Sequence, residues 1–297
     1  MATTACGTAG AGSEERGKLH VIASFYPLQW VTERVAGPGA EVSSLTPPGA
    51  EPHDLELVPR DVATLAEADL VVYLGGFQPA VDDAVAQEAN GSALDVAGDA
   101  HLRPADTGEE HADVGHSEEG HAAGGRDPHF WLDPTRLADV ADAVATQLGT
   151  ARRAQSAAFV RRAGQVRADL EALDREMAQG LAGCEGTDLV TSHAAFGYLA
   201  ERYGMSQVGI SGLSPDAEPS PRDVADVAAF VAEHDVRTIY YETLVSPDVA
   251  RTVARETGAT TAVLDPLEGI TDDSPGDDYL EVMQANVQTL REGQPCR

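Results

Sequence analysis

The chain has 297 residues, room for two ordinary domains with a sizeable core in each. Forty-nine Asp and Glu against 20 Lys and Arg leave a formal net charge of -29, which argues against nucleic acid and anionic membrane surfaces as partners. No apolar run approaches the ~20 residues of a membrane span. Lys18 is the only lysine, and such an acidic balance also suits a surface adapted to salt, so charge by itself does not imply cation binding.

Residues 1–17 are small and polar and are expected to form a disordered tail. Within them Thr3-Thr4-Ala5-Cys6 is similar to the end of a bacterial lipoprotein signal, but lacks the charged and apolar regions of a signal peptide. Cys6 is therefore either a lipid-anchor site at a trimmed start or an incidental cysteine.

Residues 18–150 read as a first α/β lobe. Strands are expected at 19–25, 41–45, 70–74 and 93–96, with helices opened by Pro27, Pro59 and Pro79. The pattern then breaks at 106–126, where His111, His116 and His121 stand among Glu109, Glu110, Asp113, Glu118 and Glu119. So polar a stretch cannot bury a core, and imidazoles scattered among carboxylates suit weak binding of a borderline metal such as zinc. Asp127-Pro128-His129-Phe130-Trp131-Leu132-Asp133-Pro134 follows directly. Its proline favours extended backbone, its Phe-Trp-Leu run needs burial, and Asp133-Pro134 supplies an N-cap and an N1 proline. His129 is thus expected on a rigid edge beside a metal-attracting loop.

Residues 151–182 read as a long linking helix, with Phe159, Ala163, Val166, Leu170, Leu173, Met177 and Leu181 forming one apolar stripe. Residues 183–297 read as a second α/β lobe, with strands at 188–191, 206–210, 237–241 and 261–264. Helix starts are expected at Ser220-Pro221 and Ser246-Pro247, and a closing helix at 278–290. Two lobes built on parallel sheets and joined by one rigid helix result. Cys184 and Cys296 either form a disulfide in an oxidising compartment or are two unrelated thiols. With no CxxC pair, a thiolate zinc site is disfavoured.

Ligands of open α/β sheets bind beyond the carboxyl ends of the strands. Titratable residues at those ends are His53, His129, His193, Glu242, Asp265 and Glu268. Three imidazoles and one carboxylate from two facing lobes suit tetrahedral Zn²⁺, whereas manganese would take more oxygen. Asp265 is preferred as the fourth ligand because it directly ends its strand. Glu268 is the alternative, and Glu242 is a candidate partner for a ligating imidazole. His20 reads as structural, His234 as a solvated helix-end residue, and His101 as a further member of the loop's weak set.

Glu51-Pro52-His53-Asp54, the acidic His-rich loop, the Asp127–Pro134 run, Ser192-His193-Ala194-Ala195-Phe196-Gly197-Tyr198-Leu199, the stretch 212–221 and Leu264-Asp265-Pro266-Leu267-Glu268-Gly269 occur in that order. In this the chain resembles the zinc-binding members of the metal-specific substrate-binding proteins that serve bacterial ABC importers. The resemblance implies two (βα)₄ lobes, a linking helix, and one metal in the cleft on His53, His129 and His193. A histidine at position 193, where manganese binders carry a carboxylate, marks the zinc branch. It further implies an extracytoplasmic monomer that delivers zinc to a membrane permease. The rival class is a zinc hydrolase with an open coordination position and Glu242 as base, although no His-Glu-x-x-His motif is present. A surface adhesin or zinc reservoir is a third reading that the same fold could serve.

Overall fold

The computed structural model describes residues 17–89, 91–105, 125–184, 186–215 and 217–296. The expected tail with Cys6, and His111, His116 and His121, lie outside the described residues.

The first sheet contains β1 (Leu19–Ala23), β2 (Ala40–Ser44), β3 (Leu70–Tyr73) and β4 (Ala93–Asp95), in the order β2-β1-β3-β4 with every pairing parallel. Helices α1 (Tyr26–Ala36), α2 (Pro59–Glu67) and α3 (Pro79–Glu88) connect its strands, each with a proline in the first turn. The second sheet repeats the arrangement, with β5 (Asp188–Thr191), β6 (Ser206–Gly209), β7 (Thr238–Tyr241) and β8 (Thr260–Val263) in the order β6-β5-β7-β8, again all parallel. The order reverses between β1 and β3 and between β5 and β7. Such switch points open a crevice beyond the strand ends, where ligands bind.

Between the sheets, α4 (Pro134–Ala151) is capped by the Asp133 carboxylate, which accepts from the Thr135 amide. A short 3₁₀ turn at Arg153–Gln155 then separates α4 from α5 (Ser156–Leu181). The expected apolar stripe from Phe159 to Leu181 is buried along the whole of α5. At ~1.5 Å per residue its 26 residues span roughly 39 Å. It packs against α1, α4 and the closing helix α9 (Tyr279–Gly293).

The remaining helices are α6 (Gly197–Arg202), α7 (Pro221–Glu233) and α8 (Asp248–Thr257). The short α6 was not expected from the sequence. Its buried face, with Tyr198 and Leu199, comes from only six residues, too few to show a helical period. Helix α8 begins one residue later than Ser246-Pro247 suggests, because Pro247 itself occupies the cap position. Cys184 and Cys296 are joined as a disulfide, which ties the chain end beyond α9 to the segment that follows α5. No helix among the described residues is long and apolar enough to cross a membrane.

One apolar core runs through both halves, from Val21 and Phe25 through Trp131, Phe159 and Tyr198 to Tyr279 and Leu290. Polar ties cross the same boundary. The Tyr198 hydroxyl donates to the Asp127 carbonyl (2.8 Å), the Tyr279 hydroxyl to the Trp131 carbonyl (2.6 Å), and the Trp131 indole to the Pro266 carbonyl (2.7 Å). Each buried aromatic fills apolar space with its ring and satisfies its polar tip on backbone of the opposite half.

Candidate metal centre

The site is assembled from four loops at the facing carboxyl ends of the two sheets. His53 lies in the connection from β2 to α2, and His129 immediately precedes a buried 3₁₀ turn, Phe130–Leu132, that leads into α4. His193 follows β5 by two residues, and Glu268 lies in the connection from β8 to α9.

Their ligating atoms all lie within 4.8 Å of one another. Glu268 Oε1 is 3.1 Å from His53 Nε2, 3.1 Å from His129 Nε2 and 3.3 Å from His193 Nε2, and the last two nitrogens are 3.4 Å apart. Ligands at ~2.0–2.1 Å from a tetrahedral zinc are separated by about 3.3–3.4 Å. Glu268 Oε1 and the His129 and His193 Nε2 atoms stand at that spacing, and His53 Nε2 completes a cluster that could hold one such ion.

The tautomers point the same way. His129 Nδ1 is 2.8 Å from Asp127 Oδ1, and His193 Nδ1 is 2.6 Å from Glu242 Oε2. Carboxylate oxygens only accept, so both Nδ1 atoms carry hydrogen and each neutral ring presents a bare lone pair at Nε2. Two lone pairs and a carboxylate oxygen converging in a buried space repel one another unless protons or a cation lie among them. Carboxylate buttressing of ligand imidazoles is the arrangement that fixes ring orientation in zinc sites.

The electrostatics follow from that crowding. Burial pushes the His193 imidazole down, but the Glu242 and Glu268 carboxylates outweigh it and hold the group well above the ordinary 6.5. His129 behaves likewise, with burial opposed and exceeded by Asp127 and Glu268. Burial lowers His53 below 6.5, outweighing the Glu268 carboxylate that it faces. Burial raises Glu268, yet the neighbouring His193 and the histidine hydrogen bonds hold it well below 4.5. His53 is the most accessible member, its side chain 10 % exposed against 0 % for His129 and His193.

Of the residues singled out from sequence, the structure brings His53, His129, His193 and Glu268 together. Asp265, the preferred fourth ligand, lies outside that cluster. Its carboxylate turns back on its own loop, accepting from the Leu267 amide (2.8 Å), the Ser274 hydroxyl (3.0 Å) and, more weakly, the Thr243 hydroxyl (3.4 Å). Glu242 takes the buttressing position. Asp127 as the partner of His129 was not singled out, although an Asp two residues before a histidine, across a proline, was its signal. His20 and His234 stay apart from the cluster, the latter paired with Asp188 at 2.8 Å, and His101 is exposed beside Asp139.

Comparison with known proteins agrees with this geometry. The family described as "ZnuA: Zinc-uptake complex component A periplasmic" matches residues 21–293. The zinc-binding protein AdcA of Streptococcus pyogenes is 37% identical over 288 residues, covering 93% of this chain and 56% of AdcA, so the chain spans little more than half the length of that relative. The high-affinity zinc uptake system protein ZnuA of Bacillus subtilis is 33% identical over 298 residues, covering 98% of this chain and 93% of that protein. Among solved structures, the Zn(II)-bound ZnuA-like domain of Streptococcus pneumoniae AdcA superimposes with a TM-score of 0.76 at 32% identity, covering 94% of this chain and 99% of that domain.

Proposed function

The chain belongs to the family of ZnuA, the periplasmic component A of zinc-uptake complexes, and from that premise we propose that it captures Zn²⁺ outside the cytoplasm and delivers it to an ABC importer. His53, His129, His193 and Glu268 are the ligands. The observation that carries this reading is the convergence of three Nε2 atoms and one carboxylate oxygen at the spacing of a tetrahedral zinc shell. The partner is a membrane permease, and the chain acts as a monomer. A lipid anchor through Cys6 would keep it at the membrane surface.

A zinc hydrolase is disfavoured by the same geometry. A catalytic zinc keeps a position open for water. Here Glu268 occupies the fourth corner, and Glu242, the candidate base, is engaged with His193 through both its oxygens.

The His-rich stretch 106–126 would be a weak collecting site that feeds the cleft. The residues flanking it are joined by the Ala105 amide donating to the Gly125 carbonyl at 2.9 Å and by a bridge between Pro104 and Arg126, the latter three residues before His129 in the chain. Replacing 106–124 by a short turn should preserve one tight zinc and slow its capture from a dilute chelated source. Loss of the tight site in that variant would end the division of labour.

The transport role is tested in a strain lacking the gene. Growth in zinc-depleted medium should return with the wild-type gene and not with a His129→Ala/His193→Ala variant. Equal rescue by both would contradict it.

A further inference from the structure

We propose that Asp265 is the positioning residue that sets how Glu268 is presented to the three imidazoles, a role that rests on Glu268 being the fourth ligand. The segment leaving β8 is held from several directions at one residue. Asn286, on α9, grips the backbone of Asp265 at both ends, accepting from its amide (3.0 Å) and donating to its carbonyl (2.7 Å). The Asp265 carboxylate is buried and spends its oxygens on the loop. One oxygen closes a tight turn onto the Leu267 amide, and the other holds Ser274 at the far end of the loop and reaches Thr243. Desolvation raises this carboxyl above its ordinary value, and the Leu267, Ser274 and Thr243 donors oppose that rise.

The turn has a consequence for the metal site. Leu267, fully buried, is forced to φ +59, a left-handed conformation rarely adopted by a branched residue. That reversal sends the next side chain, Glu268, into the cleft, while the Pro266 carbonyl is fixed by the Trp131 indole. Through Thr243 the same carboxylate touches the neighbour of Glu242, which buttresses His193. Asp265 thus links the fourth ligand to the support of the third without approaching the metal cage.

The test uses the full chain with zinc and with cobalt(II), whose visible band intensity reports coordination number. Asp265→Ala should fold, lose ~10–100-fold in zinc affinity, as for loss of other groups that orient ligands, and show a weaker cobalt band as a poorly presented Glu268 lets extra water in and raises the coordination number. Asp265→Asn should recover most of both, because its amide oxygen can still accept from Leu267 and its nitrogen can donate to Ser274. A less stable Asp265→Ala protein with wild-type affinity and cobalt spectrum would overturn the proposal, as would an Asp265→Asn variant as damaged as Asp265→Ala. Glu268→Gln is measured in parallel. Unchanged metal binding there would remove the ligand assignment itself, whereas a weakened Glu268→Gln beside an unaffected Asp265→Ala removes only the positioning role. If Asp265→Ala does not fold, Thr243→Val/Ser274→Ala cuts two of the ties. It should lower affinity and cobalt band intensity in the same direction, and no change in either would overturn the proposal.

Discussion

Glu242 Oε2 lies 2.6 Å from His193 Nδ1, and the other oxygen of the same carboxylate accepts from the His193 amide at 3.2 Å. Ring and backbone of this proposed ligand are therefore held by a single side chain. Glu242→Gln should leave the fold intact and lower zinc affinity by ~10–100-fold. Asp127→Asn should do the same through His129, since Asp127 Oδ1 takes both the amide and the ring nitrogen of that residue. Titration against a fluorescent zinc chelator measures both, and unaltered affinity in either variant would remove the buttressing role of that carboxylate.

Zinc retention should weaken as pH falls, and the sign follows from the histidines. The ligating form is the neutral imidazole. His193 and His129 are held above 6.5, so in the metal-free protein both keep a proton into the neutral range, and zinc must displace it. Below those raised values acid competes with metal, and above them it does not. Glu268, held well below 4.5, stays ionised through this range and adds no dependence there. Affinity measured from pH 8 to pH 5 should begin to fall at or above pH 6.5. Glu242→Gln should move that fall to lower pH, because Glu242 is the largest influence raising His193. A flat profile across the range would contradict this.

The disulfide closes a sequence separation of 112 residues around the second sheet. Cross-links over loops of that size contribute roughly 2–5 kcal/mol, largely by restricting the unfolded chain. Cys184→Ala/Cys296→Ala should lose stability on that scale in urea unfolding. Zinc affinity of the folded variant should not change, because neither cysteine touches a ligand or its support. A change in affinity without a change in stability would reverse this assignment.

Metal uptake should proceed without large closure of the two halves. The apolar core is continuous across them, α5 carries no proline, and Trp131, Tyr198 and Tyr279 are hydrogen-bonded across the boundary. Opening a hinge would uncover that core and break those bonds together. Small-angle scattering of metal-free and zinc-loaded protein should give the same radius of gyration. Hydrogen exchange should differ mainly in the connections that carry His53, His129, His193 and Glu268. A clear compaction on adding zinc would show that the boundary opens.

Much of this was legible in the sequence, for reasons that differ by element. The parallel strands appear as short apolar runs, and proline at helix starts marks their boundaries well. His129 could be placed because Asp-Pro before it and Phe-Trp-Leu after it leave the backbone little choice. The choice between Asp265 and Glu268 could not be read from strand ends, because it depends on the left-handed turn at Leu267, which no residue type there advertises. One hint existed. An Asp at the end of a strand commonly accepts from its own backbone two residues on, and Asp265 does so. The Trp131–Pro266 contact was equally hidden, joining residues 135 apart that only the packed halves bring together.

X-ray absorption at the zinc edge, on protein loaded with one equivalent of zinc, reads the ligand shell itself. A four-coordinate ion is expected, with three imidazole nitrogens at ~2.0–2.1 Å and one carboxylate oxygen at ~2.0–2.2 Å. Glu268→Gln should perturb the oxygen shell, and His53→Ala, His129→Ala or His193→Ala should each remove one nitrogen. A first shell with fewer than three imidazoles, or one unchanged by Glu268→Gln, would contradict the site drawn here.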